Sequence, residues 1–143
     1  MITCTKKFGP YPFAHRQPLH TGHCRLLHGH NFYFELTFAA KELDANGFVQ
    51  DFGHLDWLKT WLTKQFDHKL GILHNDPFLE TFCALEAKGL CKLTPLDDGS
   101  AEGLARYVCE SANLGFVIAN PRQVRVIKVI CFEDEKNSAT YEP

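Results

Sequence analysis

Residues 30–40 alternate between two kinds of side chain, and this alternation constrains the fold more than any other feature of the sequence. One set of alternate positions is almost wholly apolar and comprises His30, Phe32, Phe34, Leu36 and Phe38. A period of two predicts a β-strand with one face in the core. Residues 124–132 also alternate but are largely apolar on both faces, which predicts a final strand that is covered on both sides. Residues 2–8 predict a first strand that ends at Gly9-Pro10.

Two segments predict α-helices that pack on this sheet. Residues 53–66 follow Asp51, a favourable N-cap residue, and carry leucines at helical spacing. A second helix is expected to begin at Ser100 and to end near Gly115. Residues 48–50 predict a short strand, and residues 94–99 predict an exposed loop. Because strands and helices do not alternate regularly, we expect an α+β fold with an antiparallel sheet and two helices on one face.

The composition fits one domain over residues 1–143 and argues against several classes of partner. The chain has 143 residues, of which 45% are hydrophobic, and this is enough for one core. Its 15 basic and 17 acidic residues give a formal net charge of −2, so we expect no nucleic-acid or membrane partner. An anionic ligand would have to meet a local basic site. The sequence shows no membrane span and no signal peptide, which predicts a cytoplasmic protein.

Histidine is concentrated in one stretch, because five of the eight histidines lie within sixteen positions. His28 and His30 are two residues apart at the entry to a predicted strand, so their imidazoles share a face. Gly29 between them permits close approach of the backbone, and His15 is the natural third ligand. Three neutral imidazoles leave the fourth position of a tetrahedral zinc ion open, as in catalytic sites. The histidines expected not to bind metal are His20, His23, His54 and His74.

Two further features suggest proton transfer. Cys24 stands four residues before His28, and a nearby cation would favour its thiolate, although an isolated cysteine is usually a packing residue. The six cysteines are scattered along the chain, which favours free thiols over disulfides. Asp67 and His68 can act as a carboxylate that orients an imidazole, provided that the helix ends there in a turn. Neither feature by itself specifies a function.

Several short motifs follow one another in a defined order. They are Phe13-Ala14-His15-Arg16, Cys24 with His28-Gly29-His30, Gly47-Phe48-Val49-Gln50-Asp51-Phe52, Asp67-His68, Ser100-Ala101-Glu102 and Cys131-Phe132-Glu133. In this order and with most of these spacings, the chain resembles the 6-pyruvoyl-tetrahydropterin synthase family. The corresponding family elements begin with Phe-x-Ala-Ala-His-Arg and Cys-x-x-x-His-Gly-His-x-Tyr. The resemblance covers nearly the whole chain.

The resemblance implies a T-fold whose subunits assemble through barrels into a homo-oligomer, a hexamer, with active sites at subunit interfaces. The implied substrate is the pterin triphosphate 7,8-dihydroneopterin triphosphate, and the implied cofactor is Zn2+. The implied site residues are His15, His28 and His30 for zinc, Cys24, Asp67 and His68 for proton transfer, and Glu102 and Glu133 for the pterin ring.

The spacing between Cys24 and His28 bears on the reaction within this family. Three intervening residues are typical of bacterial 6-carboxy-tetrahydropterin synthases of queuosine biosynthesis, whereas animal pyruvoyl enzymes have a longer gap. This favours a lyase that forms 6-carboxy-5,6,7,8-tetrahydropterin with loss of acetaldehyde over one that only eliminates triphosphate. Departures at 69–99, which is longer than usual, at Gly99-Ser100-Ala101 and at Asp134 leave the side-chain specificity open.

Three alternatives remain at this point. The first is a non-catalytic homologue that binds zinc or a pterin, for which a lost cysteine or a broken Asp-His pair would be the sign. The second is a metal-free cysteine-histidine hydrolase that uses Cys24 as a covalent nucleophile. The third is a related enzyme that acts on a different pterin or purine.

Overall fold

The longest hairpin of the protein is formed by β1 (Thr3–His15) and β2 (His28–Ala39). It is seen in a computed structural model that describes residues 1–118 and 120–143. The strands pair antiparallel, and the last pair is His15 opposite His28. The prediction that the first strand ends at Gly9 was wrong, because β1 continues past it through a register shift. Gly9 has a φ of 119°, a conformation that glycine adopts without steric cost.

Six strands form one sheet in the order β4-β3-β1-β2-β5-β6. The later strands are β3 (Lys69–Leu73), β4 (Leu93–Leu96), β5 (Arg125–Phe132) and β6 (Ser138–Tyr141). The pairs β1/β2, β2/β5 and β5/β6 are antiparallel, whereas β1/β3 and β3/β4 are parallel. The sheet is therefore mixed, since residues 69–99 add two parallel strands to the antiparallel set. The loop predicted at 94–99 was wrong in its first half, where β4 pairs with β3 and Leu96 is buried.

The described residues contain three α-helices: α1 (Asp56–Phe66), α2 (Leu79–Ala87) and α3 (Ala101–Phe116). The first and third confirm the two predicted helices, and α2 is additional. A 3-10 turn precedes α1, and the Ser100 side chain caps α3 by accepting a hydrogen bond from the Gly103 N–H at 3.0 Å. Residues 48–50 do not form the predicted strand. Within the described part of the chain, no helix has the length and apolar character needed to cross a membrane.

Two hydrophobic clusters lie on opposite faces of the sheet. The main cluster joins the sheet to α1 and α3, and its fully buried members include Phe32, Phe34, Leu36, Phe38, Leu58, Leu62, Leu104 and Val108. The smaller cluster consists of Leu70, Ile72 and Phe82, so it joins β3 to α2. Gly71 lies between Leu70 and Ile72 in β3 and faces Phe13 of the main cluster. Because successive strand residues face opposite ways, α2 packs on the face opposite α1 and α3.

Candidate metal centre

Three imidazoles converge where β1 and β2 end. His15 is the last residue of β1, and His28 is its partner at the start of β2. His30 follows two residues later on the same face of β2, as its spacing predicts. The ring centroids lie 4.6 Å apart for His15 and His28, 5.4 Å for His15 and His30, and 5.2 Å for His28 and His30. One ligand nitrogen from each ring lies within 4.8 Å of the others, so the three can hold a metal ion.

Backbone carbonyls fix the proton positions of two of these rings. The Nδ1 atom of His15 lies 2.7 Å from the carbonyl oxygen of Gly99, and Nδ1 of His28 lies 2.7 Å from that of Leu26. Because a carbonyl oxygen only accepts hydrogen bonds, each Nδ1 must carry the proton and donate it. The Nε2 atom of each ring therefore keeps its lone pair for a metal. Such carbonyl partners are the usual outer supports of metal-binding histidines.

The surroundings of the His15 Nε2 atom fit a bound cation. His15 is 2% exposed, and its Nε2 is the buried side-chain atom left without a hydrogen-bond partner among the described residues. Burial lowers the pKa of His15, which keeps the ring neutral and its Nε2 available, although the Gly99 carbonyl acts in the opposite direction. Three neutral nitrogen donors suit zinc among the common biological cations.

Glu133 brings a carboxylate to the edge of this cluster. Its Oε1 atom lies 3.7 Å from Nε2 of His15 and 3.9 Å from Nε2 of His30. It follows the end of β5, and its backbone N–H donates to the Asn137 carbonyl at 3.1 Å across the turn to β6. The carboxylate is thus held beside the imidazoles, where it faces both the cluster and the open cavity.

A cavity of about 340 Å³ joins two of the three histidines to other residues singled out in the sequence. Its walls include His15, Cys24, His28, Glu102 and Glu133. Cys24 lies in a 3-10 turn between β1 and β2, and Glu102 lies in the first turn of α3. Residues far apart in the sequence therefore face one space, which is called here the histidine cavity.

The thiol of Cys24 differs in position from the buried cysteines of the core. Cys109 and Cys131 are buried, and burial raises the pKa of Cys109 to about 11, so its thiol is an inert packing group. Cys24 is only partly buried and opens onto the histidine cavity. Its position therefore allows contact with a ligand in that cavity.

Asp67 and His68 lie outside the histidine cavity of their own chain. They follow α1, and His68 adopts a left-handed φ of 56° as the chain turns into β3. This turn allows the two neighbours to pair, with His68 Nδ1 3.1 Å from Asp67 Oδ1. The His68 side chain is 81% exposed. His68 lines a different cavity, which it shares with His30 and Lys69, so a single chain does not bring the Asp67-His68 pair into the histidine cavity.

Sequence reasoning missed a buried ion pair beside the cluster. The Arg16 guanidinium donates to both carboxylate oxygens of Asp76, at 2.7 and 3.1 Å, and to the Arg25 carbonyl at 2.9 Å. Arg16 follows His15, and Arg25 follows Cys24, so one side chain ties together the two segments that carry these residues. The one signal in the sequence was the position of Arg16 directly after His15. Asp76 lies within residues 69–99, where no helix or strand periodicity could be recognised.

Comparison with known proteins places the chain in a family. A family profile described as 6-pyruvoyl tetrahydropterin synthase matches residues 3–143. A 6-carboxy-5,6,7,8-tetrahydropterin synthase from Rickettsia bellii is 44% identical over 75 residues, which are 52% of this chain and 53% of that protein. The protein of the same name from Rickettsia conorii is 42% identical over 77 residues, 53% of this chain and 54% of that one. The matched chain thus spans about half the length of these curated relatives.

Solved structures confirm the T-fold. An uncharacterised protein from Wolinella succinogenes has a TM-score of 0.83 at 22% identity, covering 99% of this chain and 97% of that chain. The 6-pyruvoyl tetrahydropterin synthase of Caenorhabditis elegans has a TM-score of 0.66 at 24% identity, covering 99% and 95%. At these identities the structures show a common fold, whereas the profile match extends over almost every residue of the sequence. The chain therefore belongs to the 6-pyruvoyl tetrahydropterin synthase family.

Proposed function

We propose that this protein is a zinc-dependent lyase that converts 7,8-dihydroneopterin triphosphate to 6-carboxy-5,6,7,8-tetrahydropterin. The observation that carries the proposal is the convergence of three imidazoles beside a cavity, with the buried Nε2 of His15 lacking a protein partner. The relatives from Rickettsia that bear the name 6-carboxy-5,6,7,8-tetrahydropterin synthase support the choice of product. The spacing of three residues between Cys24 and His28 supports the same choice.

In this proposal His15, His28 and His30 hold the zinc ion. Zinc supplies a Lewis acid that polarises oxygens of the substrate side chain and stabilises the negative charge that develops there. Cys24, at the wall of the same cavity, carries a proton to or from a neighbouring carbon. Positioned acid-base groups of this kind contribute roughly 10²- to 10⁴-fold to a rate.

Glu133 and Glu102 bind the pterin ring. A carboxylate can accept two hydrogen bonds from the guanidine-like edge of a pterin, as it does from arginine. Glu133 enters the histidine cavity from the turn after β5, and Glu102 enters it from the start of α3. A ring bound between them would present its side chain to the three histidines.

The proposal assigns Asp67 and His68 of one subunit to the cavity of another. This follows from their separation from Cys24 within one chain and from the exposure of His68.

The face of β2 and β5 that turns away from the main core carries Tyr33, Ile130 and Phe132, all partly exposed. A closed homo-oligomer, a hexamer, would cover this face and remove the exposed sheet edges. Light scattering at micromolar protein tests it, and an active monomer would contradict it.

The decisive experiment is product identification after incubation of zinc-loaded protein with 7,8-dihydroneopterin triphosphate. We expect 6-carboxy-5,6,7,8-tetrahydropterin, acetaldehyde and triphosphate. A 6-pyruvoyl product without acetaldehyde would assign the alternative elimination reaction, which the names of several solved structures carry. No turnover by zinc-loaded protein, together with retained pterin binding, would identify a non-catalytic homologue and overturn the proposal.

A matched control separates metal chemistry from covalent chemistry at Cys24. Activity should disappear after treatment with a chelator and return when zinc is added back. A cysteine-histidine hydrolase would keep its activity in chelator, because acyl transfer to a thiolate needs no metal. A cytoplasmic location and the absence of a nucleic-acid partner remain predictions from the sequence.

A further inference from the structure

The histidine cavity is poorly suited to the charge of the proposed substrate. Its lining includes the carboxylates of Glu102 and Glu133 and, among the described residues, no lysine or arginine. The N-terminus of α3 faces the cavity, but its first turn carries Glu102, which opposes an anion there. A triphosphate carries several negative charges and is normally met by lysine or arginine side chains. The polyphosphate end therefore needs a basic site elsewhere.

A larger cavity with the opposite charge lies on the β3 side of β1, where Lys69 pairs with Phe13. It has a volume of about 790 Å³, and its lining includes Lys64, Lys69, Lys92 and Glu86, with His68 beside them. We call it the lysine cavity. The single carboxylate is already engaged, since Oε2 of Glu86 accepts a hydrogen bond from the Leu93 N–H. Three ammonium groups thus face one engaged carboxylate, on a chain whose formal net charge is −2.

The three lysines come from three separate elements. Lys64 lies in the last turn of α1, Lys69 begins β3, and Lys92 immediately precedes β4. Among the described residues, none of the three ammonium groups lies within 4.0 Å of a carboxylate. Lys64 alone would be an ordinary partner for the negative end of α1. That explanation does not extend to Lys69 and Lys92, which lie on strands or loops.

His68 connects the lysine cavity to the proposed chemistry. It lines this cavity together with Lys69, its neighbour in sequence, and it is the imidazole that the proposed function assigns to proton transfer. A ligand that reaches His68 would therefore pass beside ammonium groups. The placement explains how a chain with a net negative charge can attract a polyanionic substrate.

We propose that the lysine cavity is the subsite for the polyphosphate end of the substrate. It binds the phosphates beside His68, the residue that the proposed function assigns to proton transfer. The proposal rests on the proposed function and names a part of its substrate site. Lys69 and Lys92 hold the phosphate oxygens by charge-assisted hydrogen bonds, and Lys64 adds a third cation. Lys69 and Lys92 lie near the two ends of the segment that runs from β3 through α2 to β4, so this segment has a role in substrate binding.

Inorganic triphosphate is the probe, and calorimetric titration of the whole metal-free protein is the measurement. Removing the metal prevents triphosphate from binding to zinc instead. We expect binding that weakens as salt is added and that falls on the order of a hundredfold in the Lys69→Gln/Lys92→Gln variant, about tenfold per lysine. The matched control is Lys41→Gln/Lys136→Gln, two lysines outside the cavity, which should bind as the wild type does.

Wild-type protein that fails to bind triphosphate, or a Lys69→Gln/Lys92→Gln variant that binds it normally, would overturn the proposal. Kinetics then separates this proposal from the proposed function. If the protein turns over 7,8-dihydroneopterin triphosphate but its KM is unchanged in the variant, the subsite is wrong and the function stands. If the lysines bind triphosphate but no turnover occurs, the subsite stands and the assigned reaction is wrong.

Discussion

The histidine cluster and the Asp67-His68 pair represent two ways of presenting chemical groups in one molecule. His15 is 2% exposed and held by the Gly99 carbonyl, whereas the His68 side chain is 81% exposed and lies 3.1 Å from the carboxylate of its neighbour Asp67. A metal site needs its ligands fixed before the ion arrives, since loosely held ligands lose affinity. A proton carrier that serves another subunit must instead be accessible. In the proposed function, one chain supplies the three imidazoles of the metal site, and His68 serves the cavity of another subunit.

The largest effect is expected from a substitution in the buried histidine cluster. His15→Ala should lose most of the bound zinc and all measurable activity, because His28 and His30 alone leave only two protein ligands. Elemental analysis of the purified variant is the measurement. His54→Ala, which changes an 80% exposed histidine, is the matched control and should retain one zinc per chain. Full zinc content in His15→Ala would show that the cluster is not the metal site.

The next prediction links the two regions. Cys24→Ala and His68→Ala should each keep zinc and lose roughly 10²- to 10⁴-fold in kcat, the usual contribution of an acid-base group. Neither residue belongs to the group of three histidines that can hold the metal ion. Steady-state kinetics on zinc-loaded variants provides the measurement.

Mixing these two inactive variants sharpens the comparison. Co-expressed subunits with different tags form mixed oligomers, in which some sites combine an intact Cys24 with an intact His68 of another chain. Purified mixed oligomers should therefore recover part of the activity. If no activity returns although mixed oligomers form, the two residues act within one chain and the assignment to different subunits fails.

A smaller effect is expected at the ion pair beside the cluster. Asp76→Ala should lower the free energy of unfolding by about 3 kcal/mol, because it leaves the largely buried Arg16 guanidinium without its carboxylate. Urea unfolding measures this. Asp97→Ala is the control, since the Asp97 side chain is fully exposed and its loss should change stability by less than about 0.5 kcal/mol.

The contribution of Asp76 should depend on pH. Burial acts to raise the pKa of Asp76, but hydrogen bonds from Arg16 and the Phe78 N–H, with the Arg16 charge, bring it below its usual value. A carboxyl with a lowered folded-state pKa stabilises the protein above its unfolded pKa of about 3.9, and this stability is lost as the pH falls through the folded value. The stability difference between wild type and Asp76→Asn should thus shrink as urea titrations move below pH 4. A constant difference would contradict it.

The smallest effect is expected at the start of α3. Ser100→Ala removes the cap that accepts from the Gly103 N–H and should cost about 1 kcal/mol of stability. It should also raise KM slightly, because the same turn carries Glu102 into the histidine cavity. Thermal unfolding and kinetics measure the two effects. Ser111→Ala, in the interior of α3, is the control and should change neither by much.

Local patterns predicted the parts of the fold that repeat regularly. The alternation after His30 and the leucine spacing before Phe66 both became regular elements with the expected faces. Residues 69–99 could not be read, because β3 and β4 have five and four residues and are largely buried, so their sequence shows little periodicity. The end of the first strand was predicted wrongly at Gly9-Pro10, because a bulge lets a strand continue past residues that normally end it.

The candidate site was predictable only where the motif was local. The spacing of His28-Gly29-His30 predicts that two imidazoles share a face, and the resemblance of the motif around His15 added the third residue of the cluster. The contacts between the His15 ring and Gly99, and between Arg16 and Asp76, join residues 84 and 60 positions apart. No sequence period reports such contacts. They depend on β3 and β4, which bring these segments back beside the end of β1.

The separate core beneath α2 has a consequence for motion. Leu70, Ile72 and Phe82 are its only buried members within the described residues, whereas the main core is many times larger. Regions with few buried contacts open at a lower free energy than the whole molecule. We therefore expect amide hydrogens of α2 to exchange through a partial opening that leaves the hairpin of β1 and β2 intact. If the proposed polyphosphate subsite is correct, such an opening would release the polyanion without disturbing the three histidines at the ends of β1 and β2.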